Sequence, residues 1–387
     1  MTVPPQPPRA SRPAADPSGP AQPTARGPVY GVIPAGGSGL RLWPLSRAGA
    51  PKFLHALTGQ GDRSLLQSTA DRFSPLVDID RILVVTGALH AAAVAQQLPA
   101  LPPDNLVAEP VPRESGPAIA LAAALIHQRE PTAVMISCHA DQLVRDLDAF
   151  HAALRTAIDV AVTGLLVTIG VSPVGPETGY GYLQVGKSLD IGAARAVVQF
   201  EEKPDLTTAE RYLVSGDYLW NAGMFCWRVD SFLEQLAVEL PELHAGVTAL
   251  APRWTSAPGD DVAREWSALQ KVSVDHGLMQ PAAARGMVAT VPAEFGWADI
   301  GDWHTLGTVV GTDADGHTQL GIGALVSQDS ADCVVVTGSG RTVALLGVTG
   351  LAVVDTEDVL LICPRERAQD VKALVEQARQ EGHGALL

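Results

Sequence analysis

Val29-Tyr30-Gly31-Val32-Ile33-Pro34-Ala35-Gly36-Gly37-Ser38-Gly39-Leu40-Arg41-Leu42-Trp43-Pro44 is the stretch on which the reading of this chain turns. Val29–Ala35 reads as a buried strand. Three glycines just past its end let the backbone turn sharply and bring bare amides against a ligand, and such amides suit an anion. Neither widespread phosphate pattern fits: there is no G-x-x-x-x-G-K-[ST], and G-x-G-x-x-G would need a glycine at Leu42. Two fixed cations follow instead, Arg41 and then Lys52, placed to grip a polyphosphate from two sides.

Outward from this loop, strand-like runs alternate with helical patterns. Residues 81–86, 133–137 and 165–171 read as further strands, and residues 64–73, 88–97, 116–128 and 147–162 carry apolar positions at helical spacing. The alternation predicts an α/β fold: a Rossmann-like, mostly parallel sheet covered on both faces, with ligands bound beyond the carboxyl ends of its strands. Residues 27–310 make up this catalytic domain. Past residue 310 the texture changes to short β-rich pieces at 323–327, 332–337, 342–346, 351–354 and 359–363, then a helix at about 366–380. Residues 311–387 therefore read as a smaller β-rich domain, either a short β-helix or a sandwich, with no clear repeat to decide between them. Residues 1–26, dense in Pro, Ala, Ser and Gly without the apolar stretch of a signal peptide, read as a disordered tail.

With 27 Lys+Arg against 42 Asp+Glu in 387 residues, the net charge of −15 repels nucleic acid and anionic membrane surfaces, so neither is expected as a partner. No apolar run approaches the ~20 residues needed to span a bilayer. Four scattered cysteines, Cys138, Cys226, Cys333 and Cys363, lack zinc spacing and fit a reducing, cytoplasmic setting. A polyphosphate on so acidic a chain needs local cations, and Arg41, Lys52 and Lys203 are the candidates.

The string GGSGLRLWPLSR with the nearby Pro51-Lys52-Phe53 resembles the signature loop of the sugar-phosphate nucleotidyltransferases, specifically the mannose-1-phosphate guanylyltransferases. Trp43-Pro44-Leu45-Ser46-Arg47 points to that branch. The resemblance implies that Ala35, Gly36, Gly37 and Gly39 wrap a nucleotide triphosphate, with Arg41 and Lys52 catalytic; Leu40 stands where the family usually has threonine. Further motifs of the family follow. Glu109-Pro110-Val111-Pro112-Arg113-Glu114-Ser115-Gly116-Pro117-Ala118 is similar to a guanine-reading segment, and implies that Ser115 and Gly116 bind nucleotide, although on its own Ser115 reads equally as a helix N-cap. Here Glu114-Ser115-Gly116 replaces the usual Asn-Thr-Ala. Asp141, in Ser137-Cys138-His139-Ala140-Asp141-Gln142, and Asp299, in Gly296-Trp297-Ala298-Asp299-Ile300-Gly301-Asp302-Trp303, match the family's magnesium ligands. Mg²⁺ takes oxygen ligands and keeps several waters, so two carboxylates plus substrate phosphates would complete its shell. Gln142 replaces a usual histidine; His139, two residues upstream of Asp141, reads either as a partial replacement or as a structural histidine, the second reading being the stronger. Glu177-Thr178-Gly179-Tyr180-Gly181, Phe200-Glu201-Glu202-Lys203-Pro204 and Trp220-Asn221-Ala222-Gly223-Met224-Phe225 resemble the sugar-phosphate motifs, implying contacts from Glu177, Gly181, Glu202, Lys203 and Asn221.

The expected reaction joins GTP and mannose 1-phosphate to give GDP-mannose and pyrophosphate, with Mg²⁺ as cofactor. The alternatives are a sibling enzyme that uses another sugar 1-phosphate and a catalytically silent regulatory homologue. The sequence does not fix the oligomeric state, but a β-rich terminal domain with exposed edges can pair with another copy, which leaves a homodimer open.

Overall fold

The computed structural model describes residues 27–37, 39–58, 61–255 and 258–386; the tail at 1–26 and Ser38 of the glycine loop lie outside them. Strand β1 (Val29–Ala35) covers the apolar run that marks it. It is followed by β2 (Ile82–Gly87), β3 (Leu106–Glu109), β4 (Val134–Cys138), the short β5 (Gln142–Leu143), β6 (Leu166–Val171), β7 (Gly181–Ser188), β8 (Arg195–Glu202), β9 (Tyr218–Arg228), β10 (Val288–Pro292) and the short β11 (Ala298–Asp299). All but β5 and β11 form one nine-stranded sheet in the order β3-β2-β1-β4-β9-β6-β10-β8-β7. Strand β9 runs antiparallel to β4, β6 and β7, and β8 antiparallel to β10 and β7. The other pairings are parallel, so seven of the nine strands share one direction.

Side chains alternate across the sheet, so one strand feeds two cores. Tyr30 and Val32 face the layer holding the helix Ser115–Arg129, while Ile33 and Ala35 face the layer holding Leu147–Ala161. Val32 and Ile33 are fully buried, and each such side chain contributes about 1.5–3 kcal/mol relative to exposure. The helix Ser115–Arg129 is buried without a break from Gly116 to Ile126; an all-round apolar helix belongs inside. No helix among the described residues is long and apolar enough to cross a membrane.

The C-terminal strands are β12 (Thr318–Gly321), β13 (Leu325–Gln328), β14 (Val334–Thr337), β15 (Val343–Leu346), β16 (Leu351–Asp355) and β17 (Leu360–Pro364). Strands β12, β14 and β16 pair in parallel, as do β13 and β15, while β17 closes the sheet antiparallel. The register Thr318↔Val334 and Val334↔Ala352 brings the chain back to the same sheet after sixteen and then eighteen residues. This is a β-helix-like coil, not a sandwich. Coils of unequal length, and so few of them, leave no repeat to read in the sequence, and β12 is a strand that the sequence did not announce. The expected final helix divides into a 3₁₀ turn, Arg365–Asp370, and the helix Val371–Gln380.

A third core joins the two parts. Leu42 and Trp43 of the glycine-loop motif pack with Trp303 and Leu306 of the helix Trp303–Val309 and with Val334, Val354, Val371 and Val375 of the C-terminal domain.

Candidate active site

Where β1 ends, Ala35 is buried and its carbonyl accepts the Thr86 hydroxyl at 2.8 Å, which fixes the strand end. A Cβ placed on Gly36 or Gly37 would meet nothing within 4 Å, so both present open backbone. Gly39 differs. Its φ is 56°, and a Cβ there would sit 2.7 Å from Ser46 Oγ and 2.8 Å from Lys52 Cβ. Only glycine lets the loop close down on Lys52.

The two candidate metal carboxylates meet through strand pairing. Strands β5 and β11 are antiparallel, with Asp299 opposite Gln142, which sets Asp299 beside Asp141. Lys52, 5% exposed, lies between them, its Nζ 3.0 Å from Asp141 Oδ2 and 2.9 Å from Asp299 Oδ1. Burial works against the ammonium, yet the two carboxylates outweigh it and raise its pKa. Burial likewise opposes ionisation of Asp141, and Lys52 overcomes it, holding that carboxyl below its ordinary value. Two carboxylate oxygens converging on one positive centre form a donor set that suits a hard cation. Among the described residues no third His, Cys, Asp or Glu joins them. Gln142 serves the framework, since its Nε2 donates to the Ala222 carbonyl at 2.7 Å and ties β5 to β9.

Beside the glycine loop lies a cavity of about 180 Å³ walled by Pro34, Ala35, Val85, Pro112 and Ala118, a size suited to a nucleobase. His139, Arg113, Glu114 and Ser115 also reach it. Glu109 lines it as well, 8% exposed, with Oε1 buried and unpartnered, and burial pushes its carboxyl up to about 7. Glu114, not Ser115, occupies the cap position of the helix, at φ 66° and ψ −176°. That region is strained for any residue but glycine, and strain of this kind gathers at ligand clamps. The Ser115 hydroxyl accepts the Val274 N–H at 3.0 Å, and the Gly116 N–H donates to the Val272 carbonyl at 3.0 Å. Both therefore anchor the helix start to segment 272–274.

That segment leads to Asp275, which sequence reasoning missed. Its Oδ1 accepts from Asn221 Nδ2 at 2.8 Å, while Asn221 Oδ1 accepts from the Thr168 hydroxyl at 2.6 Å. Asn221 is thus a buried bracket that presents Asp275. Burial and the neighbouring Glu202 push the Asp275 carboxyl up to about 7. Pairing of Gly181 with Glu202 joins the two sugar motifs in one register, and a side chain on Gly181 would strike Phe200 at 2.6 Å. Lys203, at φ 54°, forms an ion pair with Glu202 Oε1 at 3.0 Å. Tyr180 stacks edge-on against Trp220 and Trp297, with ring centres 5.1 and 5.2 Å away, and so links three motifs in one aromatic wall. Glu177 is exposed at the rim.

Arg41 lies near Gly301, close enough to act on Tyr180, and is tied to the C-terminal domain. Its Nη1 donates to Gln369 Oε1 at 2.8 Å, in the C-terminal domain. The rest of its motif follows: Trp43 Nε1 donates to the Leu386 carbonyl at 2.8 Å, Trp303 Nε1 donates to the Trp43 carbonyl at 3.1 Å, and Arg47 grips both oxygens of Asp358. In this chain Trp43-Pro44-Leu45-Ser46-Arg47 is built as the seat of the C-terminal domain. Glu109 is marked in sequence by the Glu-Pro pair that opens its segment; Asp275 and Gln369 carry no local mark.

The family model described as nucleotidyl transferase matches residues 30–315, and that described as MannoseP isomerase/GMP-like beta-helix domain matches residues 323–378. The chain is 38% identical over 370 residues to a mannose-1-phosphate guanylyltransferase of Escherichia coli (strain K12), covering 92% of this chain and 75% of that one. It is 36% identical over 362 residues to the xanthan biosynthesis protein XanB of Xanthomonas campestris, covering 92% and 74%. A crystal structure titled mannose-1-phosphate geranyltransferase, from Thermus thermophilus, superimposes with a TM-score of 0.80 at 32% identity, covering 91% of this chain and 99% of that one.

Proposed function

From the premise that the chain belongs to the nucleotidyl transferase family, among the mannose-1-phosphate guanylyltransferases, we propose that it converts GTP and mannose 1-phosphate into GDP-mannose and pyrophosphate. The observation that carries the reading is Lys52, buried between Asp141 and Asp299 at the foot of the open glycine loop. A phosphate oxygen of the sugar phosphate attacks the α-phosphorus of GTP, the new P–O bond forms as the bond to pyrophosphate breaks, and no protein nucleophile is needed. Catalysis of such a step rests on positioning and on neutralising charge.

In this reading the amides of Gly36 and Gly37 and the guanidinium of Arg41 bind the triphosphate. Lys52 steadies the reacting phosphate, and Lys203 neutralises the phosphate of the sugar. Asp141 and Asp299 would hold a Mg²⁺ ion, which when bound supplies charge neutralisation on the phosphate oxygens. The Glu109 carboxylate accepts the N1 and N2 hydrogens of guanine; adenine offers an acceptor at N1, so the same carboxylate repels it. Gly181, Glu202 and Asp275 meet the sugar, with Asn221 fixing Asp275 and Glu177 closing the rim. Residues 27–310 carry the chemistry, and residues 311–387 seat the loop. The four free cysteines fit work in a reducing cytoplasm.

The test is pyrophosphate release with GTP, mannose 1-phosphate and Mg²⁺, repeated for Lys52→Ala and Asp141→Ala and with a panel of nucleotides and sugar 1-phosphates. Loss of at least a hundredfold in both variants is expected. Parent-like rates in either would remove that residue from the mechanism, and turnover with a different sugar phosphate alone would move the substrate assignment.

A further inference from the structure

Arg41 stands on the short 3₁₀ turn Leu40–Leu42, exposed, with its guanidinium near Gly301. Its polar partner, Gln369, lies 328 positions later, on the turn that precedes the last helix. Gln369 has a second bond: its Nε2 donates to Asp302 Oδ2. Asp302 is 3% exposed, and its Oδ1 accepts the Thr305 N–H at 2.8 Å, capping the helix Trp303–Val309.

These bonds fix a direction. An ionised carboxylate only accepts, so the NH₂ end of Gln369 must face Asp302. Its carbonyl end is then turned toward Arg41, which only donates. Flipping the amide would set oxygen against oxygen and nitrogen against nitrogen, so both charged neighbours enforce one orientation. A guanidinium is a rigid planar fork with five donors. Holding it by Nη1 sets its plane while leaving Nε and Nη2 for an anion. Asp302 lies three positions after Asp299, so the relay from Asp302 through Gln369 to Arg41 ties the arginine to the loop that carries a candidate metal carboxylate.

We propose that Gln369 is a positioning residue: through it the C-terminal domain aims Arg41 at the polyphosphate of the nucleotide. The proposal rests on the reading of Arg41 as a triphosphate ligand. It predicts that the small domain is part of the catalytic apparatus, since an unheld arginine must lose its rotamer freedom each time nucleotide binds.

The experiment uses the full chain with whichever nucleoside triphosphate and sugar 1-phosphate the parent turns over, and varies each substrate in turn. Gln369→Met keeps the shape and removes both hydrogen bonds; it should lower kcat/KM for the nucleotide about tenfold, the scale of one hydrogen bond to a charged group, with KM for the sugar phosphate within twofold. Gln369→Glu places a carboxylate against Asp302 and should do worse. Adding Asp302→Asn restores a donor facing an acceptor while asparagine still caps the helix, so the double variant should recover at least half of the loss. In an Arg41→Ala background, Gln369→Met should have no further effect. Gln369→Met within twofold of the parent, a swap that recovers nothing, or additive losses with Arg41→Ala would each overturn the proposal. Parent-like nucleotide kinetics for Arg41→Ala itself would instead overturn the reading of Arg41.

Discussion

At the scale of single residues, burial sets the chemistry of the pocket beside the glycine loop. The Glu109 carboxyl titrates near 7 because strands and helix remove it from water. Its folded pKa is above that of the unfolded chain, so between about pH 4.5 and 7 the folded state keeps a proton that the unfolded state has released, and stability falls as pH rises through that window. Glu109→Gln should therefore be more stable than the parent by about 2–3 kcal/mol at pH 8, with little difference at pH 4. Urea unfolding at both pH values checks this, and a gap that does not move with pH would contradict it. The same variant should bind GTP worse, and KM for GTP in the parent should fall as pH rises through 7, because the anion is the acceptor. The glycines separate by role. Gly39→Ala should lose about 1–3 kcal/mol of stability, having neither the space nor the φ for a side chain. Gly36→Ala should fold like the parent and lose activity, since its new methyl projects into open space above the loop. Melting curves beside turnover distinguish the two. Lys52, Asp141, Asp299, Glu202 and Lys203 were legible as motif residues. The raised pKa of Glu109 was not, because it depends on distant chain segments closing over one carboxyl.

At the scale of elements, two features invisible to pattern bring the site together. Strands of two residues, β5 and β11, are too short to show alternation, yet their pairing sets Asp299 beside Asp141. Asp275 opens a π-helical turn, Asp275–Met279, and such turns are rare and concentrate at functional sites. No spacing rule announces it, since its partner Asn221 is 54 positions away. Asp275→Asn keeps the shape and removes the charge; it should raise KM for mannose 1-phosphate about tenfold, as expected when a group that meets a substrate hydroxyl changes, and leave KM for GTP within twofold. Equal rises for both substrates would mean that the turn only supports the fold. The long strands and helices were legible because their apolar periods run for several residues. Ser115 illustrates the converse: a serine at a helix start reads as a cap, yet its hydroxyl is used across 159 positions to hold Val274.

At the scale of the whole molecule, the third core decides how the parts behave. Leu42 and Trp303 are fully buried among side chains of the C-terminal domain, and Trp43 nearly so. Truncation after residue 310 would expose them, so the shortened chain should aggregate instead of surviving as a separate enzyme. The full chain should unfold in one cooperative transition by calorimetry; two resolved transitions would show that the seam contributes little. The change of texture near residue 310 was legible, because short β pieces replace long alternating ones. The seam was not, because its residues sit in a motif that resembles a nucleotide-binding signature and betray nothing of what lies beneath. Arg47 with Asp358, and Trp43 with Leu386, also join chain segments more than 300 positions apart. A chimera that takes its terminal domain from another protein should therefore need residues 40–47 from the same source, and one that splits this pair should regain function through compensating changes on whichever side is foreign.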